Sequence, residues 1–410
     1  MRHWSFRVAP SLLVIALSSG AARAQTTWYV DVNGTPPGSG TAADPYTSIA
    51  YAVGRPTTLT GDTLLVAPGV YAESISAIRA VTILGTGGPD VTRILGDYST
   101  AASFPMGMLS GFTVEGHVNI QPGWLDQCAV VATPQDSITG IRYDYDAKIT
   151  RCTIAGFYNG AVEFGFNNDH VLIENTVFSS SGTDIEVSGW NTQGQIRYCR
   201  FGSSNIPPFG YQLVGNLAAD PALWDSLHGN VRLRPGSPCI DAGDPASPLD
   251  ADGSRIDMGA FTYDPTYAPP PTSYCTAKLN SLGCLPDIGY QGECSASSPN
   301  PFLVRATEIV PNKTGFLFYG AGEAAAPFQG GTRCVGTPFR RTTVSNSGSS
   351  GQPPCSGVLG YDFNARIRSG VDPALVPGRM VYAQYYYRDP NDPAGFGTGL
   401  SDALRFGIAP

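Results

Sequence analysis

Apolar and polar positions alternate in short runs along the first two-thirds of the chain, and the runs recur at a fixed period. Four segments align on one another: Leu125-Asp-Gln-Cys128-Ala-Val-Val, Ile149-Thr-Arg-Cys152-Thr-Ile-Ala, Ile173-Glu-Asn175-Thr-Val-Phe and Ile196-Arg-Tyr-Cys199-Arg-Phe-Gly. The aligned positions 128, 152, 175 and 199 are 24, 23 and 24 residues apart. That spacing predicts one coil of a three-sided solenoid per repeat: a strand, a corner with a small residue, and another strand with alternating apolar positions. Successive rungs then stack at about 4.8 Å, with Cys128, Cys152, Asn175 and Cys199 above one another at one corner. An antiparallel sandwich needs hairpin turns every 8–12 residues or so, and a sustained spacing near 24 argues against it.

The same alternation assigns three successive strands of one sheet: Ile141–Asp146, Val162–Asn167 and Ile185–Trp190. Ile141, Val162 and Ile185 face inward, so Arg142, Glu163 and Glu186 stack outward, followed by a row of Asp144, Gly165 and Ser188. Upstream, Trp28–Gly34 reads as a strand and turn, and Pro45–Val53 as a short helix. A helix there has a physical reason, since the open end of a parallel solenoid leaves backbone groups unpaired. Beyond residue 266 the pattern changes. The segment Tyr267-Ala-Pro-Pro-Pro-Thr-Ser273 predicts an extended linker, because three prolines resist both helix and sheet. Residues 274–410 carry strand-like runs at Phe302–Ile309, Thr314–Tyr319, Met380–Tyr387 and Leu404–Ile408, and predict a disulfide-supported β-sandwich.

Composition agrees with an all-β chain. Charged residues are only 14% of the total and Gly with Pro make 83 of 410 residues, which suits turns and strands better than helices. Arg2, His3 and Arg7, the apolar stretch Ser11–Ala22 and the Ala22-Arg23-Ala24 site before Gln25 have the order of a secretory signal peptide over residues 1–24. Its loss leaves 22 basic against 33 acidic residues, a net charge of −11 that disfavours nucleic acid and anionic lipid. No later run approaches the ~20 apolar residues of a transmembrane helix. An extracellular or cell-surface destination also permits the nine cysteines. Five of them, at 275, 284, 294, 334 and 355, allow two bridges and one free thiol in 15 arrangements. Cys128 and Cys152, one rung apart, allow either a disulfide or a buried thiol ladder, and Cys199 at the same corner favours the ladder.

Two stretches resemble known families. Tyr29-Val-Asp, with Gly61-Asp-Thr-Leu-Leu-Val-Ala-Pro-Gly-Val-Tyr-Ala-Glu73, resembles the N-terminal cap of the pectate-lyase-like superfamily of right-handed parallel β-helices. Val231–Asp244, with Asp250-Ala-Asp-Gly and Asp257-Met-Gly-Ala-Phe261, is similar to the closing segment of bacterial surface β-helix proteins of the choice-of-anchor Q type. The resemblance implies a right-handed β-helix over residues 25–266. Tyr274-Cys-Thr-Ala-Lys, Asn280-Ser, Gly283-Cys284 and Gln384-Tyr-Tyr-Tyr-Arg-Asp-Pro390 resemble a C-terminal module of large secreted proteins from environmental bacteria, for which no activity is implied. Neither the Gly-x-x-Asp-Phe motif of the superfamily's esterases nor the acidic calcium cluster of its lyases is present, so no catalytic residue carries over.

Candidate chemistry therefore rests on the stacked rows. Carboxylates one rung apart repel and raise one pKa, as acid/base work requires, and Arg142 is placed to neutralise a uronate or a developing negative charge. Solvated charges on a sheet exterior are the plain alternative for Glu163, Glu186, Arg142 and Asp144, and a one-residue slip would turn the whole face over. Trp190 and Asn167 are candidate sugar contacts, whereas Trp124 and Trp224 read as core or corner packing. Asp250, Asp252 and Asp257 make a candidate calcium loop whose spacing departs from the EF-hand, the alternative being an Asx-stabilised turn. Zinc is disfavoured, since no CxxC occurs and His3, His117, His170 and His228 are scattered; His170 reads as a turn residue. Two functions fit. One is association with an extracellular polysaccharide, with lyase or hydrolase chemistry as its enzymatic form. The other is a non-enzymatic surface or adhesion protein that binds a cell-surface component, with residues 274–410 as its attachment module.

Overall fold

A computed structural model describes residues 24–100, 107–132, 139–143, 146–164, 170–180, 182–187, 193–206, 210–349 and 353–410. The expected signal peptide lies outside them. The chain is all-β, a parallel β-helix followed by antiparallel sheets that carry two disulfides. The solenoid has three faces. From Thr63 onward the chain visits, in rotation, a nine-stranded first sheet, a six-stranded second sheet and a seven-stranded third sheet.

One inward ladder shows why these residues stack. Leu64, Ile83, Leu109, Leu125, Ile149, Ile173 and Ile196 pair rung to rung in the first sheet, and all are fully buried. β-branched and γ-branched chains at alternate positions fill the interior between three sheets, and each adds roughly 1.5–3 kcal/mol of burial. At the N-terminal end the helix Ile49–Gly54 lays Ile49, Ala52 and Val53 on this core. Its first turn is capped twice: Ser48 Oγ accepts from the Tyr51 N–H, and the Glu73 carboxylate accepts from the Ile49 N–H at 2.7 Å and the Ala50 N–H at 3.2 Å.

The corner between the first and second sheets turns on one left-handed residue per coil. Gln127, Arg151, Asn175 and Tyr198 all have φ near +50°. Register puts Cys128, Cys152, Thr176 and Cys199, not Asn175, on the next rung inside. The ladder expected at 175 is thus displaced by one: Asn175 takes the strained position, which Asn tolerates better than most residues, and Thr176 fills the buried one. Cys128, Cys152 and Cys199 are free and buried.

The segment after the last coil folds back along the side of the solenoid. Leu223, Val231, Leu233, Cys239, Met258 and Ala260 bury the outer face of the second sheet at Ala129, Val131, Ala155 and Val177. That sheet is apolar on both faces for this reason.

In the remaining chain a three-stranded sheet (Asp287–Gln291, Leu303–Ile309, Gly357–Asp362) faces a six-stranded one that includes Thr314–Gly320, Met380–Arg388 and Thr398–Gly407. Val304, Ile309, Leu317, Tyr385 and Phe406 share the core between them. Cys275 is bridged to Cys334 and Cys284 to Cys355, leaving Cys294 as the free, buried thiol. The expected proline linker is packed: Pro269 is buried beside Gly407, and Thr272–Tyr274 already pairs with Thr398–Gly407. No helix among the described residues is long and apolar enough to cross a membrane.

Candidate functional site

The third sheet carries the rows of interest. Thr139–Tyr143, Gly160–Phe164 and Thr183–Val187 are adjacent parallel strands, with Ile141, Val162 and Ile185 inward and fully buried. Arg142 pairs in register with Glu163, and Glu163 with Glu186. The outward row continues through Asn119, Ser99 and Ser76. It forms a polar stripe six rungs long with one cation beside two carboxylates. Arg142 is exposed, and Glu163 and Glu186 are half-buried. Below the stripe, Tyr143 and Phe164 stack at 5.9 Å and stiffen the strands that present it. Strands on neighbouring rungs lie about 4.8 Å apart, so one hydroxylated ring can meet two charged side chains at once. Asp144, Asn167 and Trp190 lie outside the described residues.

On the outer face of the first sheet Arg151 pairs with Asp126, and Arg197 pairs with Glu174 at 3.0 Å and with Asp244 at 3.6 Å, so one row of charges is neutralised within the fold. The adjacent row holds Trp124, half-buried on the outer face, with Lys148 Nζ 3.8 Å from its ring centroid and Trp124 Nε1 donating to Thr150 Oγ1. Of the core or corner packing expected for Trp124, its half-buried outward position excludes the core. Trp224 is buried, as expected, against Met380 and Tyr382. Further along the Trp124 row, Lys148, Leu172, Gln195 and Gln212 line a cavity of about 500 Å³ with Asp146 and His170 at its corner. The His170 N–H donates to Asp146 Oδ1 at 3.1 Å. Sequence reasoning passed over this surface; the sequence sign of it was Trp124, Lys148, Leu172, Gln195 and Gln212, one on each successive coil.

In the aspartate loop the carboxylates accept backbone N–H groups. Asp257 accepts from the Asp241 N–H at 2.7 Å and the Tyr263 N–H at 2.6 Å, one on each oxygen. Asp250 accepts from the Asp257 N–H, and Asp252 from the Ser254 N–H. The Ser254 N–H and hydroxyl hold the Asp252 carboxyl below its ordinary range, while burial lifts that of Asp257. Among the described residues the oxygens of Asp250, Asp252 and Asp257 do not converge within 4.8 Å. Hard cations need six to eight oxygens in one shell, and these oxygens serve a turn.

No family model matches the chain, and no curated protein matches it. Among solved structures, a crystal structure of the pectate lyase Pel9A is similar at 14% identity and a TM-score of 0.24, over 60% of this chain and 98% of that one. The β-helix rests on the strand registers and not on that likeness.

Proposed function

We propose that the protein is secreted and binds an extracellular polysaccharide along the outer row of its third sheet. The observation that carries this reading is the in-register stripe of Ser99, Asn119, Arg142, Glu163 and Glu186. Its repeat, about 4.8 Å per rung, suits a long polymer that meets the same kind of contact again and again. Amides and carboxylates accept from sugar hydroxyls, and the Arg142 fork suits a uronate carboxylate. Two disulfides in the following sheets accord with an oxidising compartment. Glu163 and Glu186 are the candidate acid/base pair should a glycosidic bond be cut there, with Asp144 beside them and Trp190 and Asn167 as candidate sugar contacts.

Affinity electrophoresis in gels cast with acidic polysaccharides tests binding. The wild type is retarded, and Arg142→Gln loses most of that retardation on a uronate polymer. The same polymers are then assayed for reducing ends or unsaturated products. Turnover that survives Glu186→Gln removes this residue from any mechanism, and silence across a broad glycan panel favours the non-enzymatic surface protein.

A further inference from the structure

The outer face of the C-terminal six-stranded sheet bears a cavity of about 400 Å³ that no part of the solenoid touches. Its floor is the stacked pair Phe316 and Tyr386, ring centroids 5.1 Å apart and 25° from parallel, and Phe328 and Phe339 stand at its sides. These rings are half-buried although they lie on the side of the sheet away from the sandwich core. One wall is the hairpin Glu323–Phe328 with Gly331–Val335, and it is fixed three ways. Cys334 is bridged to Cys275, Gln384 Oε1 accepts from the Cys334 N–H at 3.0 Å, and Lys278 Nζ donates to the Gln329 carbonyl at 2.7 Å. Lys278 is itself buried in an ion pair with Asp392 at 2.6 Å. The wall is preorganised, which lowers the cost of binding.

Three guanidiniums open into this cavity, from Arg333, Arg341 and Arg388, and among the described residues no aspartate or glutamate lines it. Arg341 lies 5.2 Å from the Phe316 ring centroid and Arg333 5.8 Å from that of Phe339. Buried polar atoms also lack partners there, namely Arg333 Nε and Gln329 Oε1. In a chain of net charge −8, three arginines, two of them over aromatic rings, with no carboxylate among the lining residues described, are a local reversal of sign.

We propose that this cavity binds a carboxylated sugar, one or two uronate units of an acidic polysaccharide chain. A uronate ring joins the two features the cavity asks for: a carboxylate for the planar arginine fork and an apolar C–H face for the rings. Acidic peptides carry carboxylates on flexible stems and have no rigid apolar face to fill the floor. The site shares the glycan of the solenoid reading but none of its residues.

Hydrogen–deuterium exchange of the full chain, with and without a galacturonate trisaccharide, tests it. Added trisaccharide protects the backbone of 314–320, 328–341 and 384–388, while a neutral trisaccharide of equal length does not. Arg333→Gln and Arg341→Gln each weaken the response by roughly tenfold or more in ligand concentration, with unchanged melting temperature. Added salt weakens it further. Protection of 139–143, 160–164 and 183–187 reports the solenoid row separately, so either reading can fail alone. The proposal is overturned if those C-terminal segments stay unprotected, if the neutral sugar protects them equally, or if only a glutamate-rich peptide does.

Discussion

At the corner between the first and second sheets, four side chains donate to the carbonyl two residues upstream. Cys128, Cys152 and Cys199 do so through sulfur at 3.2, 3.1 and 3.3 Å, and Thr176 does so through its hydroxyl at 2.9 Å. The thiols are held there as inert hydrophobes, and burial pushes those of Cys128 and Cys199 up to about 12. Thr176 Oγ1 does more, since it also accepts from the Cys152 N–H. Thr176→Val keeps the shape and strands the Cys152 N–H, while the Glu174 carbonyl keeps the Arg151 N–H, so it should destabilise the protein by about 1–3 kcal/mol in urea unfolding. Thr176→Cys, which extends the sulfur ladder, should cost about 1 kcal/mol or less. A second residue reports pH. Burial lifts the Asp402 carboxyl to about 6, while the Ile288 N–H that it accepts at 2.7 Å opposes the rise. Its folded pKa stands above the unfolded value of about 3.9, so between those limits the folded state holds a proton the unfolded chain has lost. Stability from this group is therefore full below about pH 4 and lost as pH rises through 6. Asp402→Asn should have no stability advantage near pH 4 and a growing one up to pH 7, read as the difference between melting midpoints.

The solenoid strands were legible because alternation and the 24-residue period are local properties of the chain, and one inward residue fixes the phase of each strand. Arg142, Glu163 and Glu186 stand on one row for that reason. The Asn175 corner was not resolved, because Asn and Thr both suit a tight turn and only φ of 51° at Asn175 separates the two rungs. The fold-back of 223–263 onto the second sheet was hidden too, since its partners lie some seventy to a hundred residues upstream. Asn175 links the two events. Its Oδ1 accepts from the Asp244 N–H at 2.6 Å, its Nδ2 donates to Ser247 Oγ at 3.0 Å, and its carbonyl accepts from the Gly259 N–H. Asn175→Gly retains the left-handed backbone and loses both side-chain bonds. Asn175→Ala loses the bonds and adds backbone strain of about 1 kcal/mol or more. Alanine should then be the more destabilising of the two by about that amount, and both should raise amide exchange across 239–263. Equal loss for the two variants would mean that the corner carries no strain.

The whole molecule has two principal cores, one inside the solenoid and one between the C-terminal sheets, joined through Trp224, Met380 and Tyr382 with Tyr267, Ala268 and Tyr274 around them. That joint is small, whereas both disulfides lie wholly on the C-terminal side, spanning 59 and 71 residues. Bridges over loops of that length restrict the unfolded chain and contribute about 4 kcal/mol each in the chain-entropy account. Trp28 and Trp124 lie on the solenoid and Trp224 at the joint, and no tryptophan follows residue 224, so tryptophan emission follows the solenoid side, while calorimetry follows both cores. Reductant should lower the C-terminal transition by ten degrees or more on the usual scaling of midpoint with stability, and leave the tryptophan-detected one within a few degrees of its place. If the two fall together, the Trp224 cluster couples the cores into one cooperative unit, and Trp224→Ala should then separate them. The outcome decides how the arginine-lined cavity works. In separate units, the Cys275–Cys334 bridge holds its wall independently of the solenoid, and reduction abolishes uronate protection there while the row of Arg142, Glu163 and Glu186 keeps its own.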